Sequence, residues 1–407
     1  MTYVTETSAE ETASRAAQVA RGAVDATRYS IQIKGLSKRF RRKGGEMVQA
    51  VDDVSLDIPA GEMVVLLGPS GCGKTSLLRC IGGLEQSDSG EIFLAGKRVV
   101  GPGQKPLPPE ARGIGMMFQS YALWPHMTVA KNVSYPLEAR GVKREQATKR
   151  VDRILGIAGV AHLARQYPGN LSGGQQQRVA LVRSLVAEPE IILFDEPLSN
   201  VDAKVRMQLR AEIRGMQQRL GFAGIYVTHD QEEALQLADR VAVMRAGRIV
   251  EMGKPDELYN RPRSRYVAQF LGELNLVPVD EFNDTHGHVE VPHPDLGTIY
   301  VASSGPVALT DGPSVLGFRP ERLNISKDPG PESAMNHWEG VVERVTFSGP
   351  SREYSVRIGE NAILTAKSLE GASTLSVNQG DSVHVWVDPE DVLVLVDDID
   401  DELRVVT

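Results

Sequence analysis

From Ile31 to about Phe270 short apolar runs alternate with helix-periodic segments and glycine-containing turns, the pattern of an α/β domain with a largely parallel sheet. Met63–Leu67 (MVVLL) reads as an apolar strand, and Ile191–Phe194 (IILF) as a buried-type strand that ends in Asp195 and Glu196. Between Gln119 and about Leu185 the periodicity is mainly helical. After Asn275 it turns to β-branched enrichment and strand-like alternation in "SVLGFRPERLNI", "WEGVVERVTF", "REYSVRI", "NAILTA" and "SVHVWV". The expected organisation is a tail over 1–29, an α/β domain over 30–272 with a helical part at about 120–185, and an all-β domain over 273–407, a small OB-like barrel. The Ala-, Thr-, Ser- and Glu-rich tail suits a mobile segment or a short frayed helix.

A chain of 407 residues exceeds the size at which one core usually stays single, which agrees with two domains. Its formal charge of −8 gives no electrostatic footprint for general nucleic-acid binding. The two cysteines, Cys72 and Cys80, would stand roughly 12 Å apart on a helix, beyond the disulfide reach of about 7 Å. A reducing, cytoplasmic setting is expected. The N-terminus has early glutamates and no apolar core segment of a secretory signal, and no apolar run approaches the roughly 20 residues of a membrane span. Any role at a membrane is expected to come through a partner.

Candidate chemistry begins at Gly68-Pro69-Ser70-Gly71-Cys72-Gly73-Lys74-Thr75, which fits G-x-x-x-x-G-K-[ST] between the Met63–Leu67 strand and a helix predicted over Thr75–Ile81. Glycines let backbone N–H groups turn inward around phosphate oxygens, and the helix N-terminus adds partial positive charge. Lys74 is placed to meet β- and γ-phosphates, and Thr75 to put its hydroxyl on Mg²⁺. Gly68, Ser70, Gly71, Gly73, Lys74, Thr75 and Ser76 are therefore the candidate contacts of a nucleoside triphosphate. A dinucleotide fold is excluded, because Ser76 stands where its third glycine should be.

The strand-end pair supplies the second half of the chemistry. Two carboxylates at the carboxyl edge of a parallel sheet lie where ligands bind in such folds. Asp195 would support Mg²⁺ through coordinated water, and Glu196 would orient and deprotonate the attacking water.

Together with "LSGGQQQR" (Leu171–Arg178), these motifs resemble the ATP-binding-cassette family. The resemblance implies that Ser172, Gly173, Gly174 and Gln175, at an N-capped helix start, close the ATP site of the opposite subunit of a homodimer. By the same resemblance Gln119 contacts Mg²⁺ and the attacking water, Ser199-Asn200-Val201-Asp202 forms the D-loop with Asp202 at the nucleotide, and His229 touches the γ-phosphate. Phe40 in "LSKRF" stands where the family stacks an aromatic ring on adenine; the other reading is a core phenylalanine. Cofactors are ATP and Mg²⁺.

Three further stretches, "FQSYALWPHMTVAKNVSYPL", "DEPLSNVDAKVR" and "GKPDELYNRPRSRYVAQFLGELN", resemble ATPase subunits of bacterial solute importers, whose C-terminal β region is often called TOBE. The resemblance implies integral-membrane permease subunits docking at Tyr121, Leu123, Trp124 and Met127, an extracytoplasmic solute-binding protein, and a cytoplasmic chain held at the inner membrane face. Its lean is to the polyamine, ferric iron and phosphonate group over the sugar group. Other readings stay open: a cytosolic ATPase acting on ribosomes or DNA, and a barrel that binds oligonucleotides through Trp338, Phe347, Tyr354 and Trp386, residues that barrel cores also use.

Overall fold

The computed structural model describes residues 29–42, 44–199, 201–279, 281–285, 288–302, 314–371 and 377–398. The predicted tail, up to residue 28, lies outside the described residues, as does most of the acidic C-terminal end. The chain forms two compact units that meet in sequence at Pro255/Asp256. This is earlier than the 272/273 boundary read from the sequence.

The first unit holds β1 (Tyr29–Arg41), β2 (Met47–Pro59), β3 (Met63–Leu67), α1 (Lys74–Gly82), β4 (Ser89–Leu94), β5 (Lys97–Val100), β6 (Gly115–Met117), α2 (Val129–Ala139), α3 (Arg144–Ile157), α4 (Gly173–Leu185), β7 (Ile191–Asp195), α5 (Ala203–Leu220), β8 (Ala223–Thr228), α6 (Gln231–Leu237), β9 (Arg240–Arg245) and β10 (Arg248–Gly253). A six-stranded sheet in the order β10-β9-β3-β8-β7-β6 is parallel except where β10 pairs with β9. A second, four-stranded sheet in the order β2-β1-β4-β5 is antiparallel throughout. The alternation read from the sequence covers the parallel sheet and does not announce the antiparallel one, because β1 and β2 are hairpin partners that need no crossover helix.

Every residue of β3, β7 and β8 is buried, as expected of central parallel strands covered on both faces. Period-two alternation splits β3: Val64 and Leu66 join the core that also holds Ile31, Ile33, Leu77 and Ile81, while Met63, Val65 and Leu67 bury on the other face. The sheets and α1 thus share one core, and the strand ends leave from it. Helices α2, α3 and α4 supply the helical part, with Thr128 capping α2 by accepting from the Lys131 N–H at 3.3 Å.

The second unit begins at the second residue of α7 (Pro255–Asn260) and continues into α8 (Arg265–Leu271). Its strands are β11 (Asn275–Val279), β12 (Asn283–Thr285), β13 (His288–His293), β14 (Gly297–Ala302), β15 (Ser314–Phe318), β16 (Asn324–Ser326), β17 (Asn336–Phe347), β18 (Ser351–Ile358), β19 (Ala362–Leu369), β20 (Ser382–Val387) and β21 (Val392–Val396). Among the described residues they form three antiparallel sheets, β11-β15-β21, β12-β13-β14 and β16-β20-β17-β18-β19, around one core, an all-β half-barrel. The early boundary has a physical cause: Arg265 pairs with Asp397 at 3.1 Å, and the buried Arg319 donates to the carbonyls of Tyr259 and Ala268 at 3.1 and 3.0 Å. These contacts tie both helices to the β unit.

Of the four aromatics considered for stacking, Trp338 and Tyr354 are in this core, where the Trp338 indole N–H donates to the Leu296 carbonyl at 2.7 Å. Phe347 is exposed and Trp386 half-buried. They do not make a common stacking surface.

Candidate nucleotide site

Strand register assembles the site. In the parallel sheet Leu67 lies opposite Thr228, Val227 opposite Asp195, and Phe194 opposite Met117. The carboxyl ends of β3, β8, β7 and β6 therefore release Gly68, His229, Glu196 and Gln119 along one edge.

The loop after β3 needs its glycines. Gly71 and Gly73 have φ of 83° and 106°, a region that side-chain-bearing residues rarely enter. A Cβ on Gly73 would also lie 1.9 Å from the Ala50 carbonyl oxygen, and one on Gly68 2.5 Å from that of Met244. Pro69, Ser70 and Gly71 form the exposed outer rim, while Gly68 is buried. Gly73 offers no side chain to cap α1, so the N–H groups of its first turn are open to an anion. Lys74 is buried and folds over the loop, its Nζ donating to the carbonyls of Gly68 at 2.7 Å and Pro69 at 2.9 Å. The backbone curvature that glycine permits is what makes this cradle possible. The predicted helix over Thr75–Ile81 is α1, with Ser76 half-buried in its first turn.

Thr75 Oγ1 donates to Asp195 Oδ1 at 3.2 Å. Burial pushes the Asp195 carboxyl above its ordinary range, and the Thr75 hydrogen bond and Arg79 partly oppose that shift. A carboxylate so desolvated is favoured by a nearby cation. With the Thr75 hydroxyl and the Gln119 amide it offers oxygen donors of the hard type that Mg²⁺ takes.

Glu196 directly follows β7 with φ of 43°, its N–H bonded to the Val227 carbonyl at 3.2 Å. That left-handed turn swings its carboxylate toward β8, where Oε2 lies 3.5 Å from His229 Nδ1. Ser199 Oγ donates to the Glu196 carbonyl at 3.0 Å, and Gln119 Nε2 donates to Ser199 Oγ at 3.3 Å. Lys74, Thr75, Asp195, Glu196, Gln119 and His229 are thus linked along one sheet edge.

The remaining candidates stand apart from this group. Ser172 caps α4: its hydroxyl accepts from the Gln175 N–H at 3.4 Å, and Gln175 Oε1 accepts from the Ser172 N–H at 2.9 Å. Gly173 is exposed beside Ser172, and Gly174 packs so that an added Cβ would meet Val205 Cγ1 at 3.0 Å. Asp202 caps α5, accepting from the Val205 N–H at 3.1 Å. Asn200 lies outside the described residues. Phe40 is half-buried on β1 and outside the hydrophobic core, with Lys38 Nζ 5.0 Å from its ring centroid.

Sequence reasoning missed Arg183, Arg206 and Glu233. Arg183 is buried and bonds the Tyr121 and Ala122 carbonyls. Glu233 is buried against the Tyr226 and Thr228 hydroxyls at 3.0 and 2.7 Å. Charged residues on otherwise apolar helix faces were the available signal, and partners up to 62 residues away hid their purpose.

A phosphate-binding loop that runs into the uncapped N-terminus of α1, a strand-end carboxylate pair and the serine-capped helix α4, followed by an all-β half-barrel, define an ATP-binding cassette with an appended domain. Comparison with known proteins agrees in both parts. The ABC transporter model matches residues 51–199 and the TOBE domain model residues 316–395. The spermidine/putrescine import ATP-binding protein PotA of Pseudomonas fluorescens is 40% identical, aligning over 90% of this chain and 98% of its own. The Fe(3+) ions import ATP-binding protein FbpC 1 of Rhizobium meliloti is 44% identical over 76% of this chain and 83% of its own. The maltose/maltodextrin import ATP-binding protein MalK of Escherichia coli O6:H1 is 45% identical over 72% and 78%. The chain belongs to the ABC transporter family, among its import ATPase subunits. No helix among the described residues is long and apolar enough to cross a membrane.

Proposed function

We propose that this chain hydrolyses ATP to drive solute import through separate membrane subunits, working as a homodimer with Mg²⁺. The observation that carries the reading is the alignment of the Lys74 loop, Asp195, Glu196 and His229 at neighbouring strand ends.

Lys74 and the N–H groups at the start of α1 bind the triphosphate, and Thr75, Asp195 and Gln119 hold Mg²⁺, which when bound neutralises phosphate charge. Glu196 accepts the proton of the attacking water, and its left-handed backbone and the Ser199 bond fix where that carboxylate points. His229, beside it, donates toward the phosphate being transferred. Phe40 stacks on the adenine. Ser172, Gly173, Gly174 and Gln175 of one protomer, with Asp202, close the site of the other, so nucleotide favours the closed dimer through contacts the open one lacks.

Closure is passed to permease subunits seated at the half-buried Leu123, Trp124 and Met127, beside Tyr121, which is itself buried and holds the segment from within; the permease subunits receive solute from an extracytoplasmic binding protein, and the chain itself stays at the cytoplasmic face. For cargo, we propose the polyamine, ferric iron and phosphonate group, supported by the near full-length match to the polyamine importer subunit. Uptake of labelled spermidine, Fe³⁺, a phosphonate and maltose by a strain lacking this chain, with and without a plasmid copy, tests the assignment. Plasmid-dependent uptake of one solute supports import, and maltose alone would move the cargo to sugars. ATP turnover by the purified chain without any restored uptake would leave the ATPase and overturn transport.

A further inference from the structure

Arg206 stands one turn inside α5 and bridges two segments that are far apart in sequence. Its Nη2 donates to the Val201 carbonyl at 3.1 Å, its Nη1 pairs with Asp230 Oδ2 at 3.0 Å, and its Nε lies 3.9 Å from Glu233 Oε1. Asp230 directly follows His229. Its N–H donates to Thr228 Oγ1 at 3.0 Å, and its Oδ1 accepts the Glu233 N–H at 3.0 Å, which caps α6. The turn carrying His229 is therefore fixed to its own strand and helix by short-range bonds. Arg206 ties it to the Val201–Asp202 segment from outside.

We infer that Arg206 is a positioning residue that fastens the His229 turn to the Val201–Asp202 segment, so that His229 is in place only when that segment is. A planar guanidinium serves a carboxylate and a carbonyl at once only if the two keep a set spacing. Movement of the Val201–Asp202 segment, which under the proposed function lies at the protomer contact, must then break a charge-assisted hydrogen bond or carry Asp230 with it. The link gives closure of the dimer a direct hold on the catalytic histidine. The inference rests on the proposed roles of Glu196 and His229.

The test is steady-state ATP hydrolysis and ATP binding by the purified full chain. Asp230→Asn keeps the cap on α6 and removes the nearer of the two carboxylates facing Arg206. It is expected to lower kcat roughly tenfold to a hundredfold with the ATP affinity and melting temperature of the unaltered chain. Arg206→Lys keeps a cation for Asp230 without the planar fork that reaches the Val201 carbonyl at the same time, and its kcat should lie between those of Arg206→Ala and the unaltered chain. The Arg206→Ala/Asp230→Asn pair should lose no more than the worse single variant, since both remove one link.

An unaltered kcat in Asp230→Asn, or losses that add in the double variant, overturns the inference. If Arg206→Ala does not fold, Asp230→Asn and Arg206→Lys decide alone. Glu196→Gln in the same assay separates the two levels: full hydrolysis there removes the proposed function and this inference with it, whereas an inactive Glu196→Gln beside a fully active Asp230→Asn removes only the inference.

Discussion

Oε2 of Glu196 lies 3.5 Å from Nδ1 of His229, so the side chains that leave neighbouring strand ends meet where a water would be activated. Gln at position 196 preserves shape and keeps a polar contact to His229 but cannot take a proton. Glu196→Gln is expected to bind ATP like the unaltered chain, to accumulate as a closed dimer, and to lose turnover by roughly 10²- to 10⁴-fold. Phosphate release with size-exclusion chromatography in ATP checks this. Undiminished hydrolysis would remove Glu196 from the base role.

Two glycines of one loop separate strain from collision. Gly71 has φ of 83° with nothing within 4 Å of an added Cβ, whereas at Gly73, with φ of 106°, that Cβ would lie 1.9 Å from the Ala50 carbonyl oxygen. Gly71→Ala should cost about 1–2 kcal/mol of left-handed strain and still fold. Gly73→Ala must displace β2 or the loop, and should lose ATP binding together with a larger share of stability. Thermal melts and nucleotide titrations of the pair test the distinction; equal behaviour would contradict it.

The loop was legible because its chemistry is local: glycines, Lys74 and Thr75 are consecutive, and the strand before them is one unbroken apolar run. Strand ends could be placed for the same reason, since Met63–Leu67 and Ile191–Asp195 are buried on both faces and contain no competing period. The antiparallel sheet was not legible. The burial of β1 follows no simple alternation, that of β2 alternates only from Val54 to Ile58, and their register shifts at several points. Nor could the unit boundary be read, because the ties of α7 and α8 to Arg319 and Asp397 span long stretches of chain. Arg206 was hidden likewise: 24 residues separate it from Asp230, and nothing in either local pattern announces the pairing.

Ser172 holds two roles that one substitution can separate. Its hydroxyl caps α4 in a reciprocal pair with Gln175, and under the proposed function it faces a phosphate bound by the other protomer. Ser172→Ala should cost about 1 kcal/mol of stability. Ser172→Asp keeps a capping oxygen and suits the helix N-terminus, yet sets a negative charge against phosphate. It should melt like the unaltered chain and bind ATP at Lys74 while losing hydrolysis, as should Ser172→Arg at lower stability. Full turnover by Ser172→Asp would place the serine outside the shared site.

Burial sets the reactivity of Cys80, whose thiol is raised to about 11 mainly by desolvation. At pH 8 the folded chain then holds only about one thiolate in a thousand at this position. Labelling by a thiol reagent should be slow in buffer and fast in urea, read by mass spectrometry of the Cys80 peptide. Because the folded pKa exceeds the ordinary 9.0, the stability from this group is complete below about pH 9 and is lost as the pH rises to about 11. Rapid stoichiometric labelling of folded protein at pH 8 would contradict the burial argument.

Arg183 joins α4 to the segment proposed to receive the membrane subunits. Its guanidinium donates to the Tyr121 and Ala122 carbonyls at 2.7 and 2.6 Å and lies 4.8 Å from the Trp124 ring centroid, and Trp124 in turn packs 4.6 Å from Tyr135. Tyr121 and Ala122 are both left-handed, with φ of 59° and 47°, a conformation that costs energy unless neighbours hold it. Burial draws the Arg183 group down to about 10, so it stays charged at neutral pH and its bonds are charge-assisted. Arg183→Met leaves both carbonyls without that donor and should cost about 3 kcal/mol, measured by urea unfolding. Arg183→Lys has a single ammonium, which cannot span two carbonyls and an aromatic face together, so its loss should be intermediate. If Arg183→Met unfolds at the urea concentration of the unaltered chain, the guanidinium does not hold the Tyr121–Ala122 turn, and its shape must come from the packing of Trp124 and Tyr135.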